Sequence, residues 1–479
     1  MPQERRSPIV ACMKPPVVVI PGMTASSLRD FYPTTPEPVW GLLRPRAYER
    51  VALHPDDLRY EEREPALVRA DEAFSIPYHE LVRELRHDLS QDPDRPRPVF
   101  LFPYAWRQPL DDTVEALSVF LREVAERTAL LRHYHRDGYG ASPAVDLVGH
   151  SMGGLVAAGY LARVGARGTG PLSRAGRRTG AGGDPGAPPP LVAVRRVVSL
   201  GTPFGGSFEA VLKIVTGTAA LGGSPPSSRE RETARVTPAL YHLLPRFPGA
   251  LLRSHGGLPD TLFHAGIWQR GVVESIAQHI RLHGLDPASR KADRLADARG
   301  FLQRMLDRAA AFRDGVDGLS LAGAGMGERD WLAIAGVGEE TRTRLLVDGP
   351  PDDPFFQLRS LDRMQGYGQG PGGPGEAETG DGTVPFAAAV PPFLSTEDVV
   401  AVAPQDFGYW EIRDRILGSF TSLHALLPAM NRTIKLCGAF LDGEAGTRTR
   451  AHRGLKARRP PGVEPDRWDP PLAFHTEED

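Results

Sequence analysis

The sequence predicts an α/β fold with a mostly parallel central sheet, because short apolar segments alternate with amphipathic helical segments. The predicted strands are nearly continuous apolar runs, as is typical of strands buried on both faces of a sheet. They lie at 15–22, 98–106, 145–151, 194–204, 330–338 and 396–404. Leucines at helical spacing in 75–89 and acidic residues at the start of 111–131 predict helices between the strands.

The chain is expected to divide into a core in two parts, an insertion and a tail. Residues 14–204 and 329–441 carry the predicted strands, whereas 205–328 interrupts the alternation and predicts an inserted helical cap. The first part contains an irregular, lid-like insertion at 24–75 and a flexible Gly- and Pro-rich loop at 165–190. The tail, 442–479, is rich in proline and charge and is predicted to be disordered.

Composition excludes several classes of protein. The net charge of −2 over 479 residues gives no field that would attract nucleic acid, and we expect no nucleic-acid partner. The two cysteines, Cys12 and Cys437, exclude a disulfide scaffold, and neither a metal nor a cofactor is predicted from any cluster in the sequence. No apolar run is long enough for a membrane-spanning helix or a signal peptide, so the expected location is cytoplasmic.

The stretch VDLVGHSMGG, residues 145–154, predicts a nucleophilic serine at Ser151. A strand, the pattern G-x-S-x-G and a helix follow one another, which is the context of a nucleophile elbow. Gly149 and Gly153 leave room for the strand and the helix to approach each other. The turn then lifts the serine hydroxyl clear of the sheet, at the positive end of the helix dipole.

A serine needs a base and a carboxylate, and the elbow sets their order along the chain as serine, acid, histidine. Only three histidines follow residue 283, and two of them lie in the predicted disordered tail, which leaves His424 as the base. Asp381, in TGDGTVP, follows one predicted strand and precedes the next. Spacing alone leaves Asp381 open between the acid of the site and an ordinary Asp-Gly turn.

The amides of Met23 and Met152 are the predicted donors of an oxyanion hole. Met152 follows the nucleophile, and Met23 follows the first predicted strand, which are the two places where this fold supplies such donors. Pro21 cannot donate a hydrogen bond, and Gly22 lets the chain turn so that the next amide points inward.

Eight segments in this order resemble the lecithin:cholesterol acyltransferase family of the α/β-hydrolase superfamily. They are VVVIPGM (17–23), FPYAWR (102–107), GHSMGG (149–154), LGTPFGGS (200–207), TPALYHLLP (237–245), AIAGVGEET (333–341), GDGTVP (380–385) and His424. The resemblance implies an α/β-hydrolase fold with an inserted helical cap or lid. It also implies that Asp381 is the acid and supports Met23 and Met152 as oxyanion donors. The preference for Arg over Lys further suggests a bacterial member of the family.

The resemblance implies an acyl-serine intermediate on a glycerolipid or phospholipid ester, with the acyl group passed to a lipid alcohol or to water. The expected partners are therefore a lipid ester and an acyl acceptor, and basic residues at 448–459 suggest transient contact with a membrane surface. A non-lipid carboxylesterase and a catalytically silent binding module are the alternatives. No oligomeric state is predicted.

Two departures from the family pattern affect the surroundings of the site. The family usually carries Tyr-Asp-Trp-Arg where this chain has Tyr104, Ala105, Trp106 and Arg107, so an ion pair of the arginine is in question. The disulfide-bonded lid of the animal enzymes is absent. VWGLLRP (39–45) either forms an apolar lip at the site or packs on the core.

Overall fold

A computed structural model of the chain describes ten segments. These are residues 14–32, 35–41, 48–62, 65–90, 92–169, 190–217, 228–358, 380–408, 422–443 and 455–472. Most of the loop predicted at 165–190 lies outside the described residues. Among those segments, no helix is long and apolar enough to cross a membrane.

Six strands, numbered with the others in chain order, form the central sheet. They are β1 (Val17–Ile20), β5 (Val99–Leu101), β6 (Ala144–His150), β7 (Ala193–Leu200), β9 (Trp331–Gly336) and β12 (Val400–Val402). The order across the sheet is β12-β9-β7-β6-β1-β5, and every neighbouring pair is parallel. Each of the six predicted strands contributes one of these strands, which confirms the predicted parallel α/β sheet.

Helices surround this sheet in the described parts of the chain. They are α1 (Tyr48–Val51), α2 (Ser75–Asp88), α3 (Leu110–Ala129), α4 (Arg132–Arg136), α5 (Met152–Arg167), α6 (Phe208–Thr216), α7 (Ser228–Arg235), α8 (Pro238–Tyr241), α9 (Arg270–His283), α10 (Lys291–Asp317), α11 (Phe386–Ala389), α12 (Leu423–Leu426) and α13 (Asn431–Asp442).

Alternate residues of β1 enter two different cores, because successive side chains of a strand point to opposite faces. Val18 and Ile20 belong to one apolar cluster with α3 and α5. Val17 and Val19 belong to the other, with α2 and α13. Helices therefore cover both faces of the parallel sheet, as in an α/β-hydrolase fold.

Helices α6 to α10 lie between β7 and β9, so the sheet is interrupted along the chain by a helical insertion. A small sheet accompanies them, formed by β8 (Leu251–Arg253), β10 (Leu345–Asp348) and β11 (Phe355–Phe356) in the order β11-β10-β8. The inserted helical cap of the predicted fold is thus present, while the division at residues 205 and 328 stays a prediction.

The N-terminal insertion predicted as irregular at 24–75 contains a third sheet. Its strands are β2 (Ser26–Asp30), β3 (Glu37–Trp40) and β4 (Val68–Ala73), and β2 pairs antiparallel with both neighbours. The prediction missed these strands because they carry charged residues and only part of each is buried. Trp40 is buried edge-on against Trp106, with 5.0 Å between ring centroids, whereas Leu42 and Leu43 of VWGLLRP lie outside the described residues.

Part of the tail predicted as disordered, 442–479, is ordered. Residues 455–472 pack on the core, where Trp468 is buried and its indole N–H donates to Val399 O over 2.9 Å. Arg458 of the same segment binds the carboxylate of Asp406. The prediction was wrong for this segment because a few apolar side chains anchor an extended chain that has almost no helical or strand pattern.

We predict that Trp468→Ala lowers the free energy of unfolding by about 3–5 kcal/mol, because it leaves a large cavity under the segment. The measurement is chemical denaturation followed by circular dichroism. Leu130→Ala is the control, since Leu130 is 84% exposed and should change stability little. Equal stability of the Trp468 variant and the native chain would mean that the tail does not pack.

Candidate active site

Ser151 stands at the turn between β6 and α5 in a conformation that non-glycine residues rarely adopt. Its φ is 54° and its ψ is −127°, and its N–H donates to Leu200 O over 2.8 Å. Close approach of neighbouring segments requires glycine beside it: a Cβ on Gly153 would lie 2.2 Å from Ile20 O. The local geometry is therefore that of a nucleophile elbow.

The side chains of Ser151, His424 and Asp381 form one hydrogen-bonded chain. His424 Nε2 lies 2.8 Å from Ser151 Oγ, and His424 Nδ1 lies 2.6 Å from Asp381 Oδ2. The second carboxylate oxygen of Asp381 accepts the backbone N–H groups of Thr383 and Val384 at 3.0 and 2.7 Å. Since the carboxylate can only accept, Nδ1 carries the proton in neutral His424 and Nε2 is left to accept from the serine hydroxyl.

The elements that bring these residues together are far apart in sequence. Asp381 precedes α11 and is buried against Gly336 at the end of β9, where a Cβ would lie 2.4 Å from that of Asp381. His424 is in the short helix α12, and its backbone N–H donates to Asp381 O over 3.0 Å. Both histidine and carboxylate thus meet Ser151 at the carboxyl edge of the sheet, where α/β proteins form their sites.

Glu339 accepts a hydrogen bond from the first residue of α12. Its Oε2 accepts the N–H of Leu423 over 2.9 Å, one residue before His424. Burial and the nearby carboxylate of Asp381 raise the pKa of Glu339, and the backbone hydrogen bond opposes that shift. This residue lies within the AIAGVGEET segment, but nothing in its sequence context predicted contact with the site.

A second hydrogen-bonded chain supports the site from behind. His150 Nε2 donates to the carbonyl of His424 over 2.9 Å, so its Nδ1 accepts the hydroxyl of Tyr78 at 2.6 Å. The same hydroxyl accepts the N–H of Gly22 over 2.8 Å. The network therefore joins the loop after β1 to the backbone of the predicted base.

Both side chains of this network are held neutral. Burial lowers the pKa of His150 to about 3, and burial raises the pKa of Tyr78 well above its usual range. Sequence analysis missed their part in the site: His150 was visible only as a member of GHSMGG, and Tyr78 lies in a segment without a motif.

The predicted oxyanion donors, Met23 and Met152, both belong to segments next to Ser151. Met152 follows it as the first residue of α5, where a helix leaves its N–H groups without intrahelical acceptors. Gly22 and Met23 line the same cavity as Ser151, and a Cβ on Gly22 would lie 3.5 Å from Ser151 Oγ. Met23 therefore lines the cavity and Met152 adjoins the serine, while their role as oxyanion donors stays a prediction.

A cavity of about 330 Å³ opens at Ser151 and His424. Its apolar wall is shared by the core and the inserted helices and includes Phe74, Ala210, Leu240, Leu243, Val384 and Leu426. Leu240 and Leu243 of the inserted helices line this cavity and also belong to the apolar cluster that contains Ile214, Val215 and Leu244.

Two charged side chains also line the cavity. Glu209 and Lys213 lie one helical turn apart on α6, in the insertion. Removal of Lys213 from water lowers its pKa, and the negative charge of Glu209 opposes this shift. The cavity therefore has a mostly apolar wall with two ionisable side chains, Glu209 and Lys213, on one helix.

The altered FPYAWR segment retains an ion pair for its arginine. Arg107 is buried, and its guanidinium binds the carboxylate of Glu61 and donates to the carbonyls of Val51 and Val68. The absence of an aspartate at Ala105 therefore leaves Arg107 paired with a carboxylate from the N-terminal insertion.

The fold and the site together define a protein of the α/β-hydrolase class with hydrogen-bonded serine, histidine and aspartate side chains at an apolar cavity. Residues 84–263 match the family model of lecithin:cholesterol acyltransferase. The resemblance found in the sequence is thereby confirmed over those residues, and the match supports an activity as a lipid acyltransferase or esterase.

Comparison with solved structures gives similar chains, among them one described as the crystal structure of Tle4-Tli4 complex. The two chains share 14% sequence identity with a TM-score of 0.47, and the similarity covers 79% of this chain and 89% of the other. No protein with a curated description matches this chain in sequence.

We predict that Tyr78→Phe slows the reaction of Ser151 with a serine-directed fluorophosphonate by about 10-fold, equivalent to about 1.4 kcal/mol. The variant leaves the Gly22 N–H and His150 Nδ1 without their shared partner, so the loop and His424 lose their relative position. The exposed Tyr60 gives the control, Tyr60→Phe. A Tyr78 variant that loses stability but reacts at the native rate would assign the tyrosine to the fold alone.

We predict that His150 does not titrate between pH 8 and about 4.5, because its pKa is about 3 in the folded protein. Proton NMR of histidine ring resonances measures this, with His87 as the control, since the hydrogen bond to Asp88 raises its pKa. The neutral form stabilises the fold fully above the unfolded pKa of about 6.5, and this stabilisation is lost as the pH falls from there toward 3. Titration of His150 near pH 6.5 would contradict its burial.

Proposed function

We propose that this protein is a serine-dependent O-acyltransferase or lipid ester hydrolase that works through an acyl-serine intermediate. The observation that carries the proposal is the hydrogen-bonded chain from Ser151 Oγ through His424 to Asp381, at distances of 2.8 and 2.6 Å. The match of residues 84–263 to the lecithin:cholesterol acyltransferase family supports a lipid ester as the substrate.

In the first half of the reaction, Ser151 Oγ attacks the ester carbonyl carbon while its proton passes to His424 Nε2. Asp381 holds the tautomer of His424 and stabilises the imidazolium. The N–H groups of Met23 and Met152 stabilise the oxyanion, a contribution for which one donor is worth about 10²–10³ in rate. The proton on Nε2 then passes to the departing alcohol oxygen, and the acyl group stays on the serine.

In the second half, the hydroxyl of an acceptor attacks the acyl-serine and gives its proton to His424 Nε2, which returns it to Ser151 Oγ. Water as acceptor gives a free fatty acid, and a lipid alcohol gives a new ester. The apolar wall of the cavity fits an acyl chain. Glu209 and Lys213 offer polar partners to the remainder of the ester or to the acceptor.

We predict that a fluorophosphonate labels the native protein and Ser142→Ala equally and does not label Ser151→Ala. Ser142 is an exposed serine just before β6, so its loss leaves the elbow unchanged. Labelling is measured with and without phospholipid vesicles, and labelling only with vesicles would indicate a cap that opens at an interface. Absence of labelling in both conditions would contradict an activated serine and favour a binding module.

Product analysis then distinguishes the chemistries. Phospholipid, triacylglycerol and a short-chain ester are offered side by side, each with water alone and with an added lipid alcohol. New lipid ester identifies an acyltransferase, and free fatty acid alone identifies a hydrolase. Turnover of the short-chain ester without turnover of either lipid would replace the proposal by a non-lipid carboxylesterase.

A further inference from the structure

Glu62, His279 and His283 form a compact cluster outside the cavity at Ser151. One nitrogen of each histidine and one carboxylate oxygen all lie within 4.8 Å of one another. The side chains of Glu62 and His279 are fully buried, and that of His283 is 11% exposed. None of the three lines the cavity at Ser151, so the cluster is separate from the proposed catalytic machinery.

Helix geometry explains why the two histidines face the same point. They lie four residues apart on α9, hence on one face of the helix, and their ring centroids are 5.0 Å apart. The carboxylate comes from the other side, from the segment after α1, where Glu62 N–H donates to Ala52 O over 3.2 Å. The cluster therefore bridges the inserted helices and the N-terminal insertion.

The tautomer of His279 is fixed by its other ring nitrogen. Nε2 lies 3.1 Å from the carbonyl oxygen of Leu53, which can only accept, so Nε2 carries a proton. In neutral His279, the lone pair of Nδ1 is then directed toward Glu62 Oε2, 3.2 Å away. A cation between the two atoms would turn this repulsion into attraction. A ring N–H donated to a backbone carbonyl is also the usual support of a metal-binding histidine.

The distances from Glu62 to the two histidines fit a zinc ion. Zinc binds imidazole nitrogen and carboxylate oxygen at about 2.0–2.2 Å in a tetrahedron, which puts its ligand atoms about 3.3–3.5 Å apart. Glu62 Oε2 lies 3.2 Å from His279 Nδ1 and 3.6 Å from His283 Nε2. Two imidazoles and one carboxylate are a ligand set that zinc accepts, with water in the fourth position.

We propose that Glu62, His279 and His283 bind a zinc ion that fastens the N-terminal insertion to helix α9 of the inserted helices. The N-terminal insertion contributes Glu62 as a ligand and the carbonyl of Leu53, which accepts the ring N–H of His279. The site has a structural role, because it lies away from the cavity and its three ligand side chains are almost completely buried. It does not depend on the proposed activity of Ser151.

The test is the zinc content of the full-length chain purified without a histidine tag, dialysed with zinc and then against metal-free buffer. The native chain should retain about one zinc per chain, and His283→Ala should retain none, because loss of a ligand weakens binding by more than the roughly 10–100-fold typical of outer partners. His87→Ala is the control and should retain the ion, because His87 lies in a separate cluster with Glu84 and Asp88 and its side chain is 83% exposed.

Thermal unfolding provides a second measurement that does not depend on activity. After treatment with a chelator, added zinc should raise the Tm of the native chain and of His87→Ala but not that of His283→Ala. X-ray absorption of the zinc-loaded native chain should show two imidazoles, which tests the site even if a variant fails to fold. A native chain that binds no zinc, or a His283 variant that binds it as well, would overturn the proposal and leave a histidine–glutamate ion pair.

Discussion

The backbone of Ser151, held at positive φ between β6 and α5, is the constraint on which the site depends. Such a conformation costs of order 1–3 kcal/mol and persists only where the surrounding structure over-determines it. Here β7 accepts the Ser151 N–H at Leu200, and β1 approaches Gly153 too closely for any side chain. Two neighbours of β6 in the parallel sheet therefore hold the turn, and its strain is sustained by the packing of the sheet as a whole. The same turn starts α5, so the conformation of Ser151 sets both the position of the serine side chain and the direction of that helix.

The base and the acid reach this turn through backbone contacts as much as through side chains. His424 is held through its N–H by Asp381 and through its carbonyl by His150, so the imidazole has little freedom besides rotation about its own bonds. The neutral states of His150 and Tyr78 matter for this arrangement. A charged imidazolium at His150 would have to donate from Nδ1 as well, and the Tyr78 hydroxyl could then no longer donate to it while accepting from Gly22. Burial keeps the proton pattern of the network constant while His424 itself exchanges protons in the proposed reaction.

Two of the three catalytic candidates, Ser151 and His424, were visible in the sequence because they depend on local pattern or chain order. Ser151 follows from strand, glycines and helix in ten residues. His424 follows because only three histidines come after residue 283 and the other two lie in the predicted disordered tail. Asp381 required the family resemblance, since an Asp-Gly turn has the same local pattern. Tyr78, Glu339 and Lys213 were missed because their contacts join distant segments and no local signal marks them. The strands near Trp40 and the ordered segment at Trp468 were missed for a related reason: each is anchored by one or two apolar side chains in a polar context. The expectation that no metal is bound rested on clusters along the chain, whereas Glu62 meets His279 and His283 only in the folded structure.

Glu61 and Glu62 are neighbours in sequence, and they attach the N-terminal insertion to two different parts of the protein. Glu61 pairs with Arg107 of the core, and Glu62 meets the histidines of α9 in the insertion. Adjacent residues of an extended segment point to opposite sides, so one carboxylate can serve the core while the next serves the inserted helices. Arg107, which has Ala105 in place of the family's aspartate, is thus paired with Glu61, and the next residue, Glu62, belongs to the cluster on α9. Helix α9 packs against α7, and α7 packs against α6, which lines the cavity, so packed helices connect the cluster with the proposed acyl site. A metal ion at Glu62 would hold one end of this connection without touching the reacting groups.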